Sequence, residues 1–266
     1  MNPFASVAEQ ETHSRALRVL QEQGVDVLVG GAYAMFHYTR LFRWTKDIDL
    51  FLTRADEPRA RQVLTEAGFR TEVRDPVWLS KAFWGEIYVD LIYSSGNGIA
   101  DVDSDWLRYA PTGEAVGLQA RMVPPEEMIW SKGFVQERDR WDGADVSHLL
   151  RACGPTLDWD RLLRRYGSHW EILLAHLTLF SYSYPHDREH IPVWVRRELL
   201  RRAGRRRSEP DDGGAKICRG TLLSRTQYTH DVGLWGYQDG RTLEAPPVAA
   251  TPAASEAAVA LVAQEV

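Results

Sequence analysis

Apolar and polar positions follow two different periods along the first 120 residues. Ser6, followed three positions on by Glu9, reads as a capping box, and Gly24 supplies a left-handed stop, so the spacing predicts a helix over residues 6–23. VDVLV (25–29) is a short β-branched run that ends in Gly30-Gly31 and gives way to AYAMFHY, of helical composition. KDIDLFL (46–52) alternates, with Ile48, Leu50 and Leu52 on one face and Asp47, Asp49 and Phe51 on the other. Pro58 suits the first turn of a helix that runs to about Ala67 and stops at Gly68. EIYVDLIY (86–93) alternates again and puts Asp90 on the face of Tyr88 and Ile92. Strands interleaved with helices imply an α/β (α+β) chain, a mixed sheet with helices packed on it.

From Pro124 onward the period is helical. PPEEMIWSKGFVQERDRW begins with proline and two glutamates, which suit a helix start, and Asp142–Leu150, Trp159–Tyr166, His169–Phe180 and residues 193–203 supply further helices. GRRRSEPDDGGAK (204–216) reads as a linker, and the Ala/Pro-rich stretch beyond Glu244 reads as a mobile tail. The expected division is a core over 1–115, a helical region over 116–207, a linker and small segment over 208–243, and a disordered tail over 244–266.

Composition narrows the classes. Hydrophobic residues make up 44% and charged residues 26% of 266, as in an ordinary globular chain. A net charge of −5 is the wrong sign for bulk electrostatic binding to nucleic acid. Two cysteines, Cys153 and Cys218, outside any CxxC pattern, suggest no disulfide framework. No apolar run is long enough to span a membrane and no leader pattern opens the chain, so a cytoplasmic location without membrane partners is expected. Only four of the 32 basic residues are lysine: Lys46, Lys81, Lys132 and Lys216. Codon bias accounts for that shortage, yet each lysine marks a position where arginine was not used.

The chemistry concentrates in Gly30-Gly31, Asp47-Ile48-Asp49 and Asp90. Acids at i and i+2 on a strand share a face, where two like charges repel unless a cation lies between them. A third carboxylate on a neighbouring strand completes a hard oxygen site suited to Mg²⁺ or Mn²⁺ and a triphosphate. A paired-glycine turn lets backbone N–H groups at the next helix approach phosphate oxygens. Alone, a DxD pair is commonly a solvated strand; the glycines before it and the later aspartate strand give it weight.

The stretch LVGGAYAMFHYTRLFRWTKDIDLF followed by YVDLIY resembles the polymerase-beta-like nucleotidyltransferase superfamily, in particular a bacterial branch that includes abortive-infection-type toxins. The resemblance covers roughly residues 25–150, with Arg43 and Thr45 ahead of the DxD, EEMIWSK ending at Lys132, and RDRWDGADVSHLL as the later acidic helix. It departs from the family pattern in a long Gly-to-Asp gap, which implies an enlarged loop around Arg40 to Trp44, and in Gly31, which replaces a small hydroxyl residue. The resemblance implies metal binding and catalysis by Asp47, Asp49 and Asp90, and nucleotide binding by Gly30, Gly31, Arg43, Thr45 and Lys132. Arg43 has a second reading, as a loop arginine paired with an acid. Asp142 and Asp145 could orient Lys132, but helix capping and solvation are the expected roles of acids at such a position.

The implied activity is transfer of an NMP group from a nucleoside triphosphate to an unidentified acceptor, whether RNA, protein or small molecule. Two alternatives stand beside it: a catalytically weak binding or antitoxin-type protein acting through a partner protein, and a tRNA-end-modifying toxin that uses the seven arginines within 196–207. His186 and His190 have zinc-pair spacing but lie between Pro185 and Pro192, which favours a loop or short helix. Trp78, Trp84, Trp170, Trp194 and Trp235 are expected in core or interdomain packing.

Overall fold

The computed structural model describes residues 6–206 and 216–244. The chain enters through helix α1 (Val7–Glu22), strand β1 (Leu28–Val29), α2 (Gly31–Thr39), β2 (Asp47–Phe51) and α3 (Glu57–Glu66). A meander follows, β3 (Arg70–Asp75), β4 (Leu79–Trp84) and β5 (Ile87–Ile92), then α4 (Ser104–Tyr109), β6 (Thr112–Ala115) and β7 (Leu118–Met122). The helical part comprises α5 (Pro125–Gly133), α6 (Gly143–Cys153), α7 (Trp159–Tyr166), α8 (Trp170–Ser183) and α9 (Val193–Arg206). Beyond it lie β8 (Ile217–Cys218), α10 (Thr229–Gly233), β9 (Gln238–Asp239) and α11 (Gly240–Glu244).

Local chemistry sets the element ends. The Ser6 hydroxyl accepts from the Glu9 N–H at 3.3 Å while the Glu9 carboxylate accepts from the Ser6 N–H at 2.6 Å, the reciprocal box expected from the sequence. Gly68, at φ +93, follows α3 where an L side chain would be strained. In β2, Ile48 and Leu50 are fully buried while Asp47, Asp49 and Phe51 occupy the opposite, half-buried face.

Seven strands form one mixed sheet in the order β3-β4-β5-β2-β1-β7-β6, so the fold is α/β. β2 runs parallel to β5 and antiparallel to β1; β1 runs parallel to β7. The sequence pattern anticipates β1, β2 and β5 but not β3, β4, β6 and β7. β3 (RTEVRD) has no fully buried position, so its residues carry little alternation; β6 is only four residues long. Pairing of β7 with β1 carries the sheet to Met122, past the expected edge of the core at residue 115.

The helical part grips α5 from two sides. The Tyr166 hydroxyl donates to the Ile129 carbonyl at 2.8 Å, and His176 lies 2.8 Å from the Gly133 carbonyl. Arg161 pairs with Glu126, and Arg165 bridges Glu127 to Asp103 at the start of α4. Those pairs tie α7 to both α5 and the start of α4, which fixes where Lys132 near the end of α5 can reach. Cys153 and Cys218 are buried free thiols.

Three tryptophans depart from expectation. Trp170 is buried, but Trp84, Trp194 and Trp235 are 39%, 46% and 67% exposed, so they cover surface rather than fill a core. Helix α9 extends to Arg206, into the expected linker; the rest of that linker up to Ala215, and the tail beyond Glu244, lie outside the described residues. Among the described residues no helix is long and apolar enough to cross a membrane.

Candidate active site

The site is built where β1 turns into α2 beside β2. Gly31 opens α2 at φ +52, and a Cβ there would run into the Asp49 carboxylate; a Cβ on Gly30 would run into the Phe51 ring. The Gly30 N–H donates to the Asp49 carbonyl at 2.9 Å. Both glycines are therefore required by close approach, which sets the N-terminus of α2, with its positive dipole end, against an acidic side chain.

Asp49 on β2 lies directly across from Asp90 on β5, and Asp47 lies across from Tyr88. In a parallel pair, residues on one rung share a face, so the three carboxylates occupy one side of two adjacent strands. Thr45 donates its hydroxyl to Asp47 Oδ1 at 2.7 Å. Asp90 is buried and accepts from Lys81 Nζ at 2.7 Å; Lys81, on β4, is its rung partner on the other side. Desolvation, then the charges of Asp47 and Asp90, push the Asp49 carboxyl up to about 7, against the opposing pull of Lys132 and Arg140. Burial likewise raises Asp90, with Lys81 working the other way. Carboxylates that are buried and set close to one another suit a divalent cation.

The residues present fit such an ion by donor type: hard carboxylate oxygens on one face, with Asp49 packed against Gly31 and lining the cavity. Among the described residues no three His, Cys, Asp or Glu side chains are already gathered closely enough to hold a metal ion, and Asp90 is engaged with Lys81.

A second charged group faces this cluster. Lys132 Nζ lies 2.9 Å from Asp142 and 2.8 Å from Asp145. Asp145 also takes both terminal nitrogens of Arg43, at 2.6 and 3.3 Å, and Asp142 accepts from Arg140. Burial disfavours the charge on both acids, but Lys132, with Arg140 or Arg43, outweighs it and holds each carboxyl below the usual range. The capping role expected for Asp142 is absent: it precedes α6 without a side-chain cap bond and serves Lys132 instead. Arg43 pairs with an acid, Asp145, and also lines the rim of the same cavity.

That cavity encloses about 400 Å³. Its lining combines Gly31, Ala32, Asp49, Lys132, Arg140 and Asp145 with the apolar side chains of Met35, Leu41, Phe42 and Trp44, the last three from the enlarged loop that the sequence implied. A larger hollow of about 790 Å³ between α7 and α9 contains none of the three aspartates, so chemistry rather than size selects the site. His186 and His190 fall in and beside a short 3-10 turn (Arg188–His190).

Sequence reasoning passed over Lys81, Tyr88 and Arg140. The rarity of lysine was a usable signal for Lys81, and its place opposite Asp90 was hidden because β4 itself was not anticipated.

Residues 9–149 match the family described as nucleotidyl transferase of unknown function (DUF2204). No curated protein matches the chain. Among solved structures, the antibiotic-resistance factor ANT(2'')-Ia is 18% identical, with 65% of this chain and 98% of that one covered, at a TM-score of 0.44. The lincosamide antibiotic adenylyltransferase LnuA, with lincomycin bound, is 16% identical over 55% of this chain and 96% of that one, at a TM-score of 0.39. An antigenic nucleotidyltransferase-like protein from Paracoccidioides brasiliensis is 15% identical over 71% of this chain and 96% of that one, at a TM-score of 0.46. The matched residues run from within α1 into α6 and so include the glycine turn, the three aspartates and the Lys132 group; the chain belongs to the DUF2204 family of nucleotidyl transferases.

Proposed function

We propose that the protein transfers an NMP group from a nucleoside triphosphate to a hydroxyl or phosphate acceptor, with Mg²⁺ or Mn²⁺ held by Asp47, Asp49 and Asp90. The observation that carries this reading is the rung on which Asp49 meets Asp90, with Asp47 on the same face, beside the N-terminus of α2. When bound, the cation supplies neutralisation of the triphosphate and of the departing pyrophosphate.

The chain's own residues do the rest. Backbone N–H groups at the start of α2 and the charge of Lys132 attract the phosphates. Gly30 and Gly31 keep that approach open, Thr45 fixes the orientation of Asp47, and Arg43 shares Asp145 with Lys132 so that the two cations stay at the cavity edge. Asp90 takes the proton as the acceptor oxygen bonds to the α-phosphorus. The α–β phosphoanhydride bond breaks, and the products are the nucleotidylated acceptor and pyrophosphate. The apolar side of the cavity, with Phe42 and Trp44, suits a nucleobase.

The test is incubation with α-labelled and γ-labelled nucleoside triphosphates, Mg²⁺ and a panel of RNA, protein and small-molecule acceptors. α-Label should pass to an acceptor with the wild type and not with Asp49→Ala; equal transfer by both, or none with any acceptor, would overturn the reading.

A further inference from the structure

Lys81 is one of four lysines in the chain, and its surroundings are more specific than those of a surface cation. On the rung that carries the acidic pair, Lys81 of β4, Asp90 of β5 and Asp49 of β2 stand side by side. The ammonium is 2.7 Å from Asp90 Oδ1 and 4.0 Å from the centre of the Tyr88 ring, and only 18% of the side chain is exposed. On its other flank Lys81 faces Glu72 of β3, but the carboxylate of Glu72 is taken by Arg70 and Arg74. The charge of Lys81 is therefore directed at Asp90, and Tyr88, itself the rung partner of Asp47, keeps it there.

We propose that Lys81 is the positioning residue of the third carboxylate: it serves as the internal counter-cation of Asp90, and the Lys81–Asp90 pair has to open before Asp90 joins Asp47 and Asp49 around a divalent ion. The inference rests on the reading of the three aspartates as the metal site. An ammonium and a divalent ion cannot both draw on the same oxygen without mutual repulsion, which is strong at a few ångströms in a partly desolvated site. Metal capture is then weak without a nucleotide and becomes favourable when the triphosphate adds its own oxygens and negative charge. Lys81 thereby couples full metal loading to substrate arrival.

The experiment is titration of the nucleotide-free protein with Mn²⁺, with free ion followed by electron paramagnetic resonance, and with the fold of each variant checked by circular dichroism. Lys81→Gln should bind Mn²⁺ about tenfold more tightly than wild type, and Lys81→Arg, which keeps the charge, should stay near the wild-type value. Lys81→Met, which retains the aliphatic stem over Tyr88, carries the same expectation as Lys81→Gln and replaces it if the glutamine variant does not fold. A merely structural lysine leaves Mn²⁺ affinity unchanged or lowers it, and that result overturns the proposal. Asp49→Ala separates the two readings. If it abolishes Mn²⁺ binding while Lys81→Gln binds no more tightly than wild type, only the role of Lys81 fails. If Asp49→Ala leaves Mn²⁺ binding intact, or no protein binds the ion, the metal site itself fails.

Discussion

Lys132 and Asp145 meet at 2.8 Å across the α5–α6 interface, and Asp145, with a side chain 4% exposed, simultaneously receives Arg43 at 2.6 Å. One carboxylate thus holds two cations at the mouth of the cavity that contains Asp49. Asp145→Asn removes the charge from a buried pair and leaves Lys132 partly uncompensated, a change that costs about 3–5 kcal/mol in comparable sites. Urea unfolding should show a loss of that order, and the KM for the nucleoside triphosphate should rise more than kcat falls, because the cations lose their alignment rather than the acids their chemistry.

Gly31 and Gly24 offer a matched pair. Both have positive φ, +52 and +65, but a Cβ on Gly24 meets nothing within 4 Å whereas one on Gly31 meets the Asp49 carboxylate. Left-handed backbone costs an L residue about 1–2 kcal/mol, so Gly24→Ala should lose roughly that much stability, and Gly31→Ala more, because its Cβ also displaces the Asp49 carboxylate. Gly31→Ala should in addition abolish transfer, and Gly24→Ala should leave turnover per folded molecule at the wild-type level. Thermal melts and α-label transfer measured on the same preparations check both statements.

The pH dependence follows from Asp49. The unfolded chain releases this proton near the ordinary carboxylate value of 3.8, and the folded chain near about 7. Between those values the native state holds more protons, so the contribution of Asp49 to stability falls as pH rises through the window. In chelator, the wild-type melting temperature should drop from pH 5 to pH 8 more steeply than that of Asp49→Asn. Mg²⁺ with a nucleoside triphosphate should reduce the drop, since a cation relieves the same repulsion.

How much of this could be read from the residues differs element by element. β2 was legible because Ile48 and Leu50 are buried on one face while Asp47 and Asp49 need the other, a two-residue period that few alternative structures satisfy. Gly30-Gly31 was legible because Phe51 and Asp49 of β2 approach the turn too closely for a side chain at either position. β3 and β4 were not, because β3 lies at the sheet edge with polar residues on both faces, and no periodic signal survives there. Without β4, Lys81 had no visible partner. Arg43 and Asp145 are 102 positions apart, and only tertiary packing of loop 40–46 against α6 brings them together. Strand alternation located the acids and the family resemblance gave them roles; the rung that unites Lys81, Asp90 and Asp49 came from the sheet order.

Asp47, Asp49 and Asp90 are central as the carboxylates proposed to hold a divalent ion against a triphosphate. The most direct measurement is a crystal structure with Mn²⁺ and an α,β-methylene nucleoside triphosphate, read by anomalous scattering from manganese. The account predicts anomalous density bounded by the three carboxylates and the α-phosphate, with the base toward Phe42 and Trp44. Manganese at another place, or a nucleotide bound at full occupancy with no ion beside the three aspartates, would contradict it.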